Sequence, residues 1–246
     1  MKRLLLLSVC LIVQSLAIAS VSAAEPTPGK QVPQSTTVKS DDASRELHYL
    51  LFLPKGYDAS DKTKQWPLML FLHGSGERGE NLELVKMHGP PKIVEAKPDF
   101  EFIVVSPQCP KDSRWQANEL SQLIDQVSKA QAVDPNRLYV TGLSMGGSGT
   151  WQLAAAQPQR FAAIAPICGR ADLDSAPKIK DLPTWVFHGA KDSAASVEHN
   201  KAIVAALKAA GGEPKFTLYP DAGHDSWTAT YNNPEFYEWL LAQRKK

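Results

Sequence analysis

The segment at residues 137–150 constrains the fold of this chain more than any other stretch. It reads R-L-Y-V-T-G-L-S-M-G-G-S-G-T, with an apolar run that stops at Gly142 and a helical pattern that opens at Met145. Ser144 lies at the turn between them, and glycines flank it because side chains there would clash. This spacing predicts a strand, a tight turn that exposes the serine hydroxyl, and a helix whose N-terminus favours negative charge. The alternative, a serine that only caps a helix, fits this context less well.

Apolar runs alternate with helical patterns from residue 67 onward. The runs P-L-M-L-F-L at 67–72 and F-I-V-V-S at 102–106 are typical of strands buried on both faces. A helix over 83–96, broken at Gly89-Pro90-Pro91, is expected between them, and the next helix has an apolar face around 120–127. The alternation predicts an α/β fold with a mostly parallel central sheet and helices on both faces.

The first 24 residues have the pattern of a secretory signal peptide. A charged start (M-K-R) precedes an apolar stretch at 4–18, and V-S-A at 21–23 supplies small residues for cleavage. The apolar stretch is shorter than the roughly 20 residues of a membrane span, which disfavours an uncleaved anchor. We predict a signal peptide at 1–24, a proline-containing linker at 25–35 with a short first strand at 36–38, and one catalytic domain at 36–246. The expected location is secreted or periplasmic, with no membrane attachment after cleavage.

Charge and cysteine content narrow the possible partners. The formal net charge of +1 gives no indication of nucleic acid or an anionic membrane as a partner. No cysteine–histidine spacing fits a metal site and no G-x-x-x-x-G-K-[ST] phosphate loop is present, so we expect neither metal nor cofactor. Cys109 and Cys168 follow strands that the topology makes non-adjacent, which predicts two free, partly buried thiols rather than a disulfide.

Three loops that follow strands carry a serine, an aspartate and a histidine in the chain order Ser144, Asp192, His224. A serine hydroxyl is a weak nucleophile unless a base removes its proton during attack, and His224 would be that base. Asp192 would hold the imidazole tautomer and stabilise its charged form. The order matches the serine–acid–histidine order of one class of hydrolytic triad.

Other histidines and aspartates compete for these roles. His73 and His188 close strands and precede glycine, which favours local hydrogen bonding, whereas His88 and His199 look exposed. The rival acids for His224 are Asp225, Asp221 and Asp172. Asp192 ends H-G-A-K-D after the strand before the last, which is the expected place for the acid.

Backbone amides near the serine would stabilise the oxyanion of the tetrahedral state. Met145, the residue after the nucleophile, is expected to supply one amide, and Ser75 the other from the glycine-containing loop after Leu72. Gly74 in that loop is a candidate to contact substrate.

Two tryptophans are further candidates for the substrate site. Trp115 and Trp227 lie in loops after strands and could flank an acyl or sugar ring. The alternative is that both are packed loop anchors, since indole rings are usually buried.

Four motifs in order, H-G-S-G-E-R-G, G-L-S-M-G-G, H-G-A-K-D and G-H-D-S-W, carry a family resemblance. Over about residues 46–242 the chain resembles secreted bacterial α/β-hydrolases of the esterase, feruloyl-esterase and polyhydroxybutyrate-depolymerase-like group. The resemblance implies hydrolysis of a small-molecule or polysaccharide ester, with acetyl or hydroxycinnamoyl esters as plausible substrates. The segment S-A-A-S-V after Asp192 lacks the proline and apolar residues often seen in relatives. A peptidase of prolyl-oligopeptidase type, an acyltransferase and a non-catalytic binding protein remain alternatives on the same fold.

Overall fold

A single mixed sheet organises the computed structural model, which describes residues 25–40 and 43–245. The predicted signal peptide at 1–24 lies outside the described residues. Within them the sheet has eight strands in the order β1-β2-β4-β3-β5-β6-β7-β8. The strands are β1 (Gln31–Lys39), β2 (Ser44–Phe52), β3 (Trp66–Leu72), β4 (Ile103–Pro107), β5 (Val133–Leu143), β6 (Ala163–Ile167), β7 (Trp185–Gly189) and β8 (Lys215–Tyr219).

The strands from β3 to β8 run parallel, and β2 pairs antiparallel with both β1 and β4. Side chains of β3 alternate between two apolar clusters, with Leu68 and Leu70 in one and Met69 and Phe71 in the other. Successive residues of a strand point to opposite faces, so the apolar run is buried on both sides. The predicted mostly parallel sheet is confirmed.

Helices cover both faces of this sheet. They are α1 (Gly89–Ile93), α2 (Ala117–Ala130), α3 (Met145–Ala156), α4 (Ala176–Ile179), α5 (Val197–Ala209), α6 (Trp227–Asn232) and α7 (Pro234–Ala242). Apolar residues of α2 to α5 join one cluster, and those of α6 and α7 join the other. The layers are those of the α/β-hydrolase fold. None of the helices in the described part of the chain is both long and apolar enough to span a bilayer.

The predicted linker at 25–35 is wrong in its second half. Residues 31–35 belong to β1, which is nine residues long and pairs with the whole of β2. Pro33 lies opposite Leu50 in this register. Because β1 is the edge strand, a residue without an N–H is tolerated there, and a proline-rich composition does not exclude a strand.

The predicted helix over 83–96 is also corrected. Residues 82–87 form a 3₁₀ turn, and α1 begins at Gly89 instead of breaking there. Prolines in the first helical turn lose no hydrogen bond, so Pro90 and Pro91 are compatible with a helix start. Gly89 has φ +65°, and a Cβ there would lie 2.6 Å from the ring of Phe71.

One buried hydroxyl pair ties α6 to the sheet. Thr141 in β5 donates its hydroxyl to the carbonyl of Ala165 at 2.7 Å, and the hydroxyl of Tyr231 lies 3.0 Å from the same threonine oxygen. Since the threonine proton is engaged, Tyr231 must be the donor in the second bond. Both side chains are buried, so a partner lost from either bond cannot be replaced by solvent.

Thr141→Val should therefore destabilise the protein more than Tyr231→Phe. The valine leaves a buried tyrosine donor unpaired, at a cost of about 1–3 kcal/mol, whereas the phenylalanine leaves the Thr141–Ala165 bond intact at about 1 kcal/mol. Urea unfolding of both variants and of the double variant measures this. The double variant should be no less stable than Thr141→Val alone, and strict additivity would contradict the assignment of donor and acceptor.

Candidate active site

The turn between β5 and α3 brings three backbone segments into contact. Ser144 has φ +52° and ψ −113°, a strained conformation for a residue with a side chain. A Cβ on Gly146 would lie 1.9 Å from the carbonyl oxygen of Leu72, and one on Gly142 would lie 2.5 Å from the carbonyl oxygen of Gly146. Both positions therefore require glycine, and the strand–turn–helix prediction for this segment is confirmed.

The serine is hydrogen-bonded in series to a histidine and an aspartate. Ser144 Oγ lies 3.0 Å from His224 Nε2, and His224 Nδ1 lies 2.7 Å from Asp192 Oδ2. The residues follow β5, β8 and β7 respectively, so the carboxyl ends of parallel strands bring them together. A carboxylate only accepts, hence Nδ1 carries the imidazole proton and Nε2 is free to accept from the serine.

Burial and hydrogen bonds to both oxygens fix the carboxylate of Asp192. Its side chain is fully buried, and Oδ1 accepts from the amides of Ala194 and Ala195 at 2.8 and 2.9 Å. Burial acts to raise the pKa of Asp192, but the bonds from His224 and the two amides outweigh it and the pKa lies below its ordinary value. The unusual S-A-A-S-V segment thus supplies the backbone donors that keep the acid ionised.

His188 also contacts Asp192, which the sequence reasoning missed. It is buried, and its Nε2 lies 3.1 Å from Asp192 Oδ2 and 3.0 Å from the carbonyl of Ala195. The amide of Asn200 lies 2.7 Å from Nδ1 of the same ring. The i, i+4 spacing of His188 and Asp192 after a strand was the available signal. The expected local hydrogen bonding of His188 is present, and its ring also lies against Asp192.

The rival aspartates have other partners. Asp225 is exposed and accepts from the amide and hydroxyl of Thr228 at 3.0 and 2.9 Å, so it caps the start of α6. Asp221 pairs with Lys191 at the surface, and Asp172 caps a 3₁₀ turn. Among the described aspartates, Asp192 is the one hydrogen-bonded to His224.

The loop after β3 lies against Ser144. A Cβ on Gly74 would lie 3.7 Å from Cβ of Ser144, while Ser75 and Gly76 are exposed. Arg78 stiffens the loop, because its guanidinium donates to the carbonyls of Ser75 and Ser113 at 3.1 Å each. The sequence reasoning assigned no role to this arginine.

His73 anchors the base of the same loop. Its Nδ1 lies 2.6 Å from the carbonyl oxygen of Gly74, and the amide of Cys109 donates to Nε2 at 3.0 Å. Burial lowers the pKa of His73 to about 4, although the bond to Gly74 opposes the shift. The ring is therefore neutral at pH 7, which agrees with the expected local role.

The structure separates the two candidate tryptophans. Trp115 is buried, donates Nε1 to the carbonyl of His73 at 3.2 Å and packs edge-on against the imidazole of the same residue. Its assignment to the substrate site is therefore wrong. Trp227 is half-buried and lies edge-on to His224, with ring centroids 5.2 Å apart. The indole of Trp227 therefore lies beside His224.

Both cysteines of the described chain are free and buried, as expected for thiols after β4 and β6. Cys168 was not expected at the site, yet its sulfur and the ligand atoms of Asp192 and His224 lie within 4.8 Å of one another. Burial raises the pKa of Cys168 to about 12, so the thiol stays protonated and is a poor nucleophile or metal ligand. Asp192 and His224 are moreover already bonded to each other.

Residues 105–237 match the model of the dienelactone hydrolase family, which covers more than half of the chain. The chain belongs to this family. Its relatives carry names of hydrolases, and the solved structures that resemble it include esterases. The family segment contains Ser144, Asp192 and His224 but begins after the loop that carries Ser75.

Three similar proteins cover between 63% and 86% of the chain. The bifunctional acetylxylan esterase/xylanase XynS20E of Neocallimastix patriciarum is 29% identical over 63% of this chain and 22% of its own length. A thermostable esterase is 34% identical, with a TM-score of 0.71 over 86% of this chain and 63% of its own. A ferulic acid esterase with a TM-score of 0.64 is 19% identical over 86% of this chain and 96% of its own, which shows the fold alone. The chain spans about a fifth of the first relative and under two thirds of the second.

The hydrogen bonds around the acid predict unequal effects for two aspartate variants. Asp192→Asn should lower kcat by about 10³–10⁴, because an asparagine side chain favours the wrong imidazole tautomer. Asp225→Asn should cost about tenfold or less, the scale of one lost hydrogen bond. Both are measured on one ester at one pH, after circular dichroism has confirmed folding. A larger loss for Asp225→Asn would mean that the acid is misassigned.

Because His73 is buried and neutral, the free energy of unfolding should fall in acid. The pKa is about 4 in the folded state and about 6.5 for an unfolded histidine, so between these values only the unfolded chain binds the proton. Stability from this residue is therefore present above pH 6.5 and lost as pH falls towards 4. The drop in unfolding free energy from pH 7 to 4.5 should be roughly 2 kcal/mol smaller in His73→Gln. The exposed His199→Gln serves as control, and equal drops in all three proteins would contradict a neutral His73.

Proposed function

We propose that this protein is a serine esterase that hydrolyses carboxylic esters through Ser144, His224 and Asp192. The observation that carries the proposal is the continuous hydrogen-bonded series from Ser144 Oγ through the imidazole to Asp192, at 3.0 and 2.7 Å. Membership of the dienelactone hydrolase family supports hydrolysis as the reaction class. The strained turn at the end of β5 presents the serine in a way that suits attack on an ester carbonyl.

The mechanism follows from the protonation states of the three side chains. Ser144 Oγ attacks the ester carbonyl while His224 Nε2 takes its proton, and Asp192 stabilises the imidazolium that forms. The proton then passes to the alcohol oxygen, the C–O bond breaks, and an acyl-serine remains. Water attacks the acyl-enzyme with His224 again as base, which releases the acid and restores the serine. We assign the oxyanion to the amides of Met145 and Ser75, and the reaction needs no metal or cofactor.

The substrate class that we propose is an acetyl or feruloyl ester, including esters on plant polysaccharide. The name of one relative specifies acetylxylan, and that of a structural neighbour specifies ferulic acid. Ser144 is half-buried and lies beside the exposed Ser75 and Gly76, which fits approach by an ester on a large molecule. We further propose that residues 1–24 direct export, which would bring the enzyme to such substrates outside the cytoplasm.

Replacement of the nucleophile tests the reaction. Ser144→Ala should lower kcat/KM for p-nitrophenyl acetate by about 10⁴-fold or more while the fold is kept, as for other triad members. Ser148→Ala, one turn along α3, is the matched control and should retain activity within a few-fold. A fluorophosphonate probe should label the wild type and not Ser144→Ala.

Three outcomes of this experiment count against the proposal. A Ser144→Ala variant that keeps a tenth of the wild-type rate would overturn the nucleophile. Preferential cleavage of acyl-peptide p-nitroanilides would favour a peptidase, and absence of labelling together with absence of turnover would favour a binding protein.

A further inference from the structure

Three side chains, those of Glu77, His88 and Trp227, form a continuous surface beside Ser144 and His224. Trp227 lies edge-on to both His224 and His88, with ring centroids 5.2 and 5.5 Å apart. Nε2 of His88 lies 3.9 Å from Oε1 of Glu77. The other oxygen of Glu77 lies 3.2 Å from the Cβ position of Gly74, which is itself 3.7 Å from Cβ of Ser144. We call Glu77, His88 and Trp227 the polar wall.

One carboxylate oxygen of Glu77, Oε2, has no hydrogen-bond donor among the described residues. The side chain is 13% exposed, and this oxygen is buried. His73 Nδ1 is 3.8 Å away, but its proton is engaged with the carbonyl of Gly74. A carboxylate taken largely out of water without a partner is costly, so the position calls for an explanation.

The neighbouring arginine forms no ion pair with this carboxylate in the described part of the chain. Arg78 directs its guanidinium to the carbonyls of Ser75 and Ser113. Negative charge beside the loop that we assign to the oxyanion also opposes the tetrahedral state. A donor that arrives with the substrate would reduce both costs at once.

The spacing of Glu77 and His88 suits one kind of ligand group. At 3.9 Å, Oε1 and Nε2 are too far apart to bond each other. An oxygen placed about 2.8 Å from each atom completes a triangle with that separation. A hydroxyl group can donate to the carboxylate and accept from His88 in the tautomer that carries its proton on Nε2, so it satisfies both. The indole Nε1 of Trp227 is a second buried group of the polar wall for which the described residues supply no partner.

We propose that Glu77 and His88 bind a free hydroxyl of the substrate that lies close to the scissile ester. This inference rests on the proposed esterase function and narrows its substrates to esters of sugars or other polyols that retain such a hydroxyl. Sites built to bond a hydroxyl discriminate strongly against analogues that lack it, because their polar groups are then left unpaired.

A pair of matched esters tests the proposal. One is methyl xyloside acetylated at a single position with the neighbouring hydroxyl free, and the other is the same ester with that hydroxyl methylated. The readout is the ratio of their kcat/KM values, with p-nitrophenyl acetate as a separate measure of esterase activity. The wild type should favour the free hydroxyl by about ten- to a hundredfold, the range for a hydrogen bond to a charged group.

Two variants test whether Glu77 and His88 cause the preference for the ester with the free hydroxyl. Glu77→Gln keeps the shape but loses the charge, and His88→Phe keeps a ring against Trp227 but loses the donor. Each should reduce the ratio about tenfold or more. Glu80→Gln, an exposed carboxylate three residues away, should leave the ratio unchanged. The variants remove different atoms, so a folding defect in one leaves the other informative.

The outcomes separate this inference from the function on which it rests. A wild-type ratio near one, with p-nitrophenyl acetate still hydrolysed, would overturn hydroxyl recognition alone. A ratio that neither Glu77→Gln nor His88→Phe alters would overturn the assignment to these residues. No turnover of any ester by the wild type would instead overturn the proposed esterase function.

Discussion

The close approach of α3 to the end of β3 is the constraint on which the rest of the site depends. The backbone at Gly146 sits so near the carbonyl of Leu72 that no side chain fits between them. This contact holds Ser144 in its strained conformation and sets the loop after β3 against it. A strained residue persists only where its surroundings over-determine it, and here two parallel strands and a helix do so.

The same packing explains how polar groups are kept in a mostly apolar layer. Asp192 is buried, yet two backbone amides and the imidazole of His224 donate to its oxygens, and the His188 ring lies beside it. His73 is buried and neutral, with one ring nitrogen donating and the other accepting. Glu77 is the contrasting case, because its buried Oε2 has no such donor within the described structure. That difference is why we assign it to ligand binding and not to support of the fold.

Much of the architecture followed from local sequence patterns. The apolar run of β3 and the glycines around Ser144 predicted a parallel sheet and a sharp turn, and both are present. Chain order predicted that His224 and Asp192 lie in series with Ser144, and the three side chains are within hydrogen-bonding distance. Wrong predictions arose where a segment was judged by its own composition, without the strand that pairs with it. The proline-containing segment at 31–35 is a strand because β2 supplies a full set of partners.

What the sequence by itself determined was periodicity and order: which segments are strands, where the chain must turn, and which side chains follow strand ends. Only the tertiary structure decided the roles of residues that look alike in the sequence. Trp115 and Trp227 both follow strands, but one packs under the loop after β3 and the other faces His224. Tertiary contacts also bring the His188 ring to Asp192. They likewise place Arg78 where it donates to the carbonyl of Ser75. Burial and side-chain direction depend on contacts between distant segments, which local spacing does not specify.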